Sequence, residues 1–159
     1  MVAAAVLAEV LITPYIRIGS ARPDVALICV AFFGMFLGPA AGLETGIAAG
    51  LFRDIFTLDI FWINAFIFGL AGYAAGAMSS KFYRESRSTQ VFMVFGLTVV
   101  SMCLHCLMAH ALIRSPHLDF GAFLLLSAVP SGLYTAIFAV PLFVRLAKAF
   151  DLGDYRESY

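Results

Sequence analysis

The sequence predicts an all-α integral membrane protein, a six-helix bundle one bilayer thick. Hydrophobic residues make up 62% of the 159 and charged residues only 13%. A soluble domain carries about 25% charged residues, because its surface must face water. Mean hydropathy is +0.95. The apolar residues also fall into runs, broken only by brief polar or Pro/Gly interruptions.

A bilayer core about 30 Å thick takes about 20 apolar residues in helix, and fewer where the membrane thins. Runs at residues 2–16, 25–37, 40–55, 60–78, 91–113 and 120–146 are the predicted spans of one transmembrane domain. The first contains Glu9 and Pro14 and lacks the basic n-region of a cleavable signal. The second follows Arg22-Pro23-Asp24 and stops at Gly38-Pro39. Arg53-Asp54 closes the third, and residues 55–61 are ambiguous. Residues 79–90, with Lys81, Arg84, Glu85 and Arg87, read as the clearest loop. A polar patch from Arg114 to Asp119 divides the last two runs, and Pro130 and Pro141 are expected to kink the sixth. Runs one to three are short for full spans, so a hairpin dipping into the membrane is the alternative there.

Lys and Arg set the orientation. Six spans put both termini on one side, with Lys81, Arg84, Arg87, Arg145, Lys148 and Arg156. The other side holds Arg17, Arg22, Arg53 and Arg114, so both termini are expected in the cytoplasm. Formal net charge is zero, which leaves no basic face for nucleic acid. Cys29, Cys103 and Cys106 are odd in number and lie in apolar runs, against a disulfide framework.

Glycine recurs every fourth residue at Gly34, Gly38, Gly42, Gly46 and Gly50, and Pro39 leaves the last three as the intact stripe. Gly69, Gly72 and Gly76 form a second small-residue face on run four. Lipid supplies no hydrophobic drive between helices, so close backbone approach joins them. Gly42, Gly46, Gly50, Gly69, Gly72 and Gly76 are therefore candidates for packing within the bundle or for docking a partner's helix. Packing is the simpler reading.

Ionisable residues inside spans usually face the bundle interior and mark function. Glu9 and Glu44 are the isolated ones, candidates for polar pairing or a proton relay. Their plainer readings are a protonated or interfacial Glu9 and a Glu44 hydrogen-bonded inside the bundle. Asp54 is the third polar candidate, as a cap for the next helix or as a partner site. Cys103, Cys106 and His110 share one helical face beside His105, but a structural zinc needs four ligands from two segments. No metal and no cofactor is predicted. Ser127, Ser131 and Thr135 recur at spacing four, as for back-bonding to the helix, with no base to activate them. No catalytic residue is predicted.

The whole chain resembles the MreD family of bacterial rod-shape-determining membrane proteins. The likeness rests on Glu9 in a short first span and on Arg22-Pro23-Asp24 before an apolar run. It rests equally on Gly38-Pro39-Ala-Ala-Gly42-Leu-Glu-Thr-Gly46-Ile-Ala-Ala-Gly50-Leu-Phe-Arg-Asp54. Two departures stand out: Leu58 and Trp62 occupy positions where the family usually has glycines, and the family's polar N-terminal tail is missing. The resemblance implies a non-enzymatic scaffold of the inner-membrane machinery for cell elongation and lateral peptidoglycan synthesis. Its implied partner is an MreC-like protein and, through it, MreB, RodA and a class B penicillin-binding protein. The implied fold is like that of the substrate-binding S component of an energy-coupling-factor vitamin transporter. Such an S component is also the alternative function, with Ala4 and Ala8 as a docking face. Against it, a vitamin site needs convergent polar and aromatic groups, and Trp62, Asn64 and Tyr73 are scattered.

Overall fold

Asp24 starts the first helix that can be followed. Its carboxylate accepts from the Leu27 N–H at 2.9 Å, satisfying one of the donors a helix N-terminus leaves open. This is α1, Val25–Leu37. It stops at Gly38, whose φ of 99° suits a residue without Cβ, and the Gly38 N–H closes back onto the Gly34 carbonyl. Pro39 then opens α2, Pro39–Phe56, where its missing N–H costs nothing. The computed structural model describes residues 23–56, 62–79, 86–113 and 120–150, and every regular element among them is helical. The remaining helices are α3, Ile63–Ser79; α4, Arg87–Ile113; and α5, Val129–Ala149.

The polar stretch 79–90 is not all loop, because α4 begins at Arg87 and the Gln90 N–H already bonds the Ser86 carbonyl. Gln90 is fully buried, so tertiary packing extends the helix past the limit that hydropathy suggested. Ahead of α5, one turn at Phe120–Phe123 leads into a π-helical turn at Leu124–Ala128. The Val129 N–H reaches back to the Leu124 carbonyl, a wide turn that precedes Pro130, which has no N–H to give. Pro141 lies inside α5, which continues to Ala149.

α1 is the centre of the bundle. Every residue from Ala26 to Met35 is buried, and α2, α3, α4 and α5 all touch it. A helix apolar all round belongs in a core or in lipid, and here protein encloses it. Its 13 residues span about 20 Å. Phe32 packs edge-on against Phe143 of α5 at 5.4 Å, and the Asp24 N–H bonds Thr135 Oγ1 at 3.2 Å. These two contacts, low and high on both helices, set α1 and α5 parallel.

Two helical stretches, Arg87–Met108 and Gly121–Ala149, are long and apolar enough to cross a membrane. Their outward positions carry large apolar side chains, among them Phe92, Val100, Leu133 and Ile137.

Candidate functional site

The glycines of α2 and α3 meet each other. A Cβ on Gly42 would run into the Gly72 carbonyl, and one on Gly46 into the Phe68 carbonyl. One on Gly50 would strike the backbone of Asn64 and Ala65. Each step of four along α2 is answered by a step back along α3, so the two helices are antiparallel. Gly76 sits against Pro39, where an added Cβ would lie 2.5 Å from the proline Cα. Gly34 of α1 joins the same seam, 2.5 Å from the Gly72 carbonyl by the same measure. Gly69 differs. Its added Cβ would meet side-chain atoms of Ile47 and Leu43, on the outer side of the seam. The two glycine faces thus lie within the chain, between α2 and α3.

At one end of this seam the polar residues collect. Asp54 is 4% exposed and accepts from the Trp62, Asn64 and Ala65 N–H groups at 3.1, 3.4 and 3.3 Å. The Asn64 side-chain amide donates to it as well, at 2.7 Å. Trp62 accepts the first bond of α3 through its carbonyl and so holds the N-cap position. An indole offers no acceptor there. Asp54 supplies it from the preceding helix, and its negative charge suits the positive end of α3.

Trp62 itself has φ of 90°, a left-handed conformation rare for a bulky residue. It stands at a position where the resemblance leads one to expect glycine. Both Trp62→Ala and Trp62→Gly remove an indole that is 68% exposed, but only glycine relieves the backbone. Trp62→Gly should therefore be about 1 kcal/mol more stable than Trp62→Ala in thermal unfolding of the detergent-solubilised protein. Equal melting temperatures would remove the strain.

Arg53 does not pair with its neighbour Asp54. It crosses to Asp24, with Nη1 2.9 Å from Oδ2, and its guanidinium lies 5.3 Å from the centre of the Phe68 ring. This bridge ties the start of α1 to the end of α2. Sequence reading missed it, although Asp24 and Arg53 are equally far from the Gly38-Pro39 turn and so come level in a hairpin. Asn64 and Thr135 were missed as members of the same polar end; only the fold brings them there.

Glu44 turns outward and is exposed, against the expectation that it bonds inside the bundle. The cause is helical geometry: it is two residues from both Gly42 and Gly46, about 200° around the helix from the buried stripe. Glu9, Ala4, Ala8 and Leu58 lie outside the described residues. On α4, Cys106 is buried, Cys103 and His105 are half-buried and His110 is exposed. Among the described residues no group of three or more His, Cys, Asp or Glu is placed to hold a metal. Several buried hydroxyls turn back onto their own helices. Thr98 donates to the Val94 carbonyl, Thr135 to Ser131 and Ser79 to Gly76, at 2.7–2.8 Å.

No curated protein matches the chain, and no solved structure does. Comparison with family models matches residues 1–151 to the family described as rod shape-determining protein MreD. That match covers all the described helices. It includes the glycine seam, the Asp24–Arg53 bridge and the Asp54 cap; Asp24, the α2 glycines, Arg53 and Asp54 are among the residues that carried the resemblance, whereas the α3 side of the seam is not. The chain belongs to the MreD family of rod shape-determining proteins, and it is a membrane protein of the machinery that sets cell shape.

Proposed function

We propose that the chain is a non-enzymatic, six-span scaffold of the cell-elongation machinery in the inner membrane. It binds an MreC-like protein and, through that protein, acts with MreB, RodA and a class B penicillin-binding protein. Family membership over nearly the whole chain is the observation that carries this reading. The architecture supports it. A seam of backbone against backbone makes a rigid body, and the buried hydroxyls noted above donate to carbonyls of their own helices, with Thr135 also accepting from the start of α1. Vitamin capture finds no comparable support.

With α1 and α5 parallel and α2 turned back on α1, Arg145 and Lys148 lie at one end of the bundle and the paired Arg53 at the other. This favours the first end as cytoplasmic. A reporter enzyme fused after Tyr159 should then be active only in its cytoplasmic form, and periplasmic activity would reverse the topology. The function is tested by co-expressing the full chain with the MreC-like protein of the same organism and purifying it in mild detergent. Stoichiometric co-elution is expected. Failure to co-elute, with both proteins folded, would end the partner assignment.

A further inference from the structure

The inference rests on the scaffold reading and names a surface for it. α2 packs chiefly on α1 and α3, at the edge of the described bundle. Its outer side presents Leu43, Ile47 and Leu51, all exposed, with Glu44 among them. The same surface runs on to Leu70 and Tyr73 of α3, because Ile47 and Leu43 lean across Gly69.

The depth of Glu44 follows from the seam. Gly42 lies against Gly72 and Gly46 against Phe68, so Glu44 is level with the middle of α3. That helix begins at the Asp54 cap and ends at Ser79. On the six-span reading, Glu44 therefore stands near mid-membrane on an outward apolar face. Among the described residues it has no hydrogen-bond or ionic partner. Arg53, the one cation of α2, is turned inward to Asp24. A carboxyl in hydrocarbon costs several kcal/mol unless it is neutral or paired. A donor reaching it from a neighbouring helix would remove that cost.

We propose that this face of α2 docks a transmembrane helix of a different protein, one that places a donor side chain (Lys, Arg, Asn or Gln) against Glu44 at mid-membrane. A second copy of the chain fits badly. Two copies in the same orientation, related by a twofold axis, would bring Glu44 against Glu44 at one depth. The chain's own residues 2–16 fit no better, since Glu9 is their one acidic or basic residue and repeats the same charge.

The test uses the full chain in its native membrane, with a photo-crosslinking amino acid in place of Ile47 or, as a control on another side, Leu133. Ile47 should give an adduct whose sequenced peptide is a membrane-spanning segment with such a donor, and Leu133 should not. Glu44→Leu should lower the Ile47 yield about tenfold, while Glu44→Gln, which still bonds, should keep it within about twofold. The melting temperature of Glu44→Leu in detergent should not fall, since the exposed carboxylate holds no hydrogen bond or ion pair among the described residues. That readout separates docking from misfolding.

Lipid adducts alone, an adduct with a second copy or with residues 2–16, or an unchanged yield in Glu44→Leu would each overturn the proposal. Co-elution of the MreC-like protein with no Ile47 adduct would reject this face and leave the scaffold reading intact. An Ile47 adduct to another donor-bearing helix, without that co-elution, would support the face and reject the MreC-like partner.

Discussion

Gly46→Leu is expected to destabilise the protein by about 3 kcal/mol or more, the upper end of overpacking penalties. The first carbon it adds already collides with the Phe68 carbonyl and the backbone of Gly69. Backbone in a neighbouring helix has no rotamer to change, so relief requires α2 and α3 to part. In lipid that separation forfeits the van der Waals contact that joins them. Gly46→Ala should show much of the same loss. Gly96→Ala provides the contrast, because nothing lies within 4 Å of its added carbon. That change should be neutral or stabilising by up to about 1 kcal/mol, from glycine's poor helix propensity alone. Reversible unfolding in detergent or bicelles measures all three. A Gly46→Leu protein as stable as Gly96→Ala would mean that the seam is loose.

Asp54→Ala should cost a comparable amount, about 3 kcal/mol. It removes the cap of α3, ordinarily worth about 1 kcal/mol. It also leaves the buried Asn64 amide without its acceptor, a further penalty of about 1–3 kcal/mol. Asp54→Asn retains one carbonyl acceptor and should lose roughly half as much. The damage should be local, with amide exchange fastest at the start of α3 and little changed in α4. Uniform loss of protection, or none, would deny the cap its role.

Much of this was legible in the chain itself. The spacing of Gly42, Gly46 and Gly50 fixes a face, and Gly38-Pro39 fixes where the hairpin turns. The boundaries of α1 follow from Asp24 before it and Gly38 after it, both local signals. Glu44 departs from the expectation of a hydrogen bond inside the bundle. Its charge attracted the expectation of an interior place, while its distance of two residues from the glycines already put it on the opposite face. α4 starts earlier than hydropathy suggests: Arg87 to Gln90 are polar, yet they are helical and Gln90 is fully buried.

What the sequence by itself determined is the class of solvent, the helical character of the runs and the family. Each of these is written in local hydropathy, in punctuation by Gly and Pro, and in short motifs. Only the tertiary structure decided that α1 is enclosed by its neighbours, that the glycines of α2 answer those of α3, and that Arg53 reaches Asp24. The reason is physical. In water an apolar face must turn inward, so pattern reveals packing. In lipid the surroundings are as apolar as leucine, so hydropathy leaves open whether a helix faces lipid or protein. That choice is made by shape and by the few buried polar groups that must find one another.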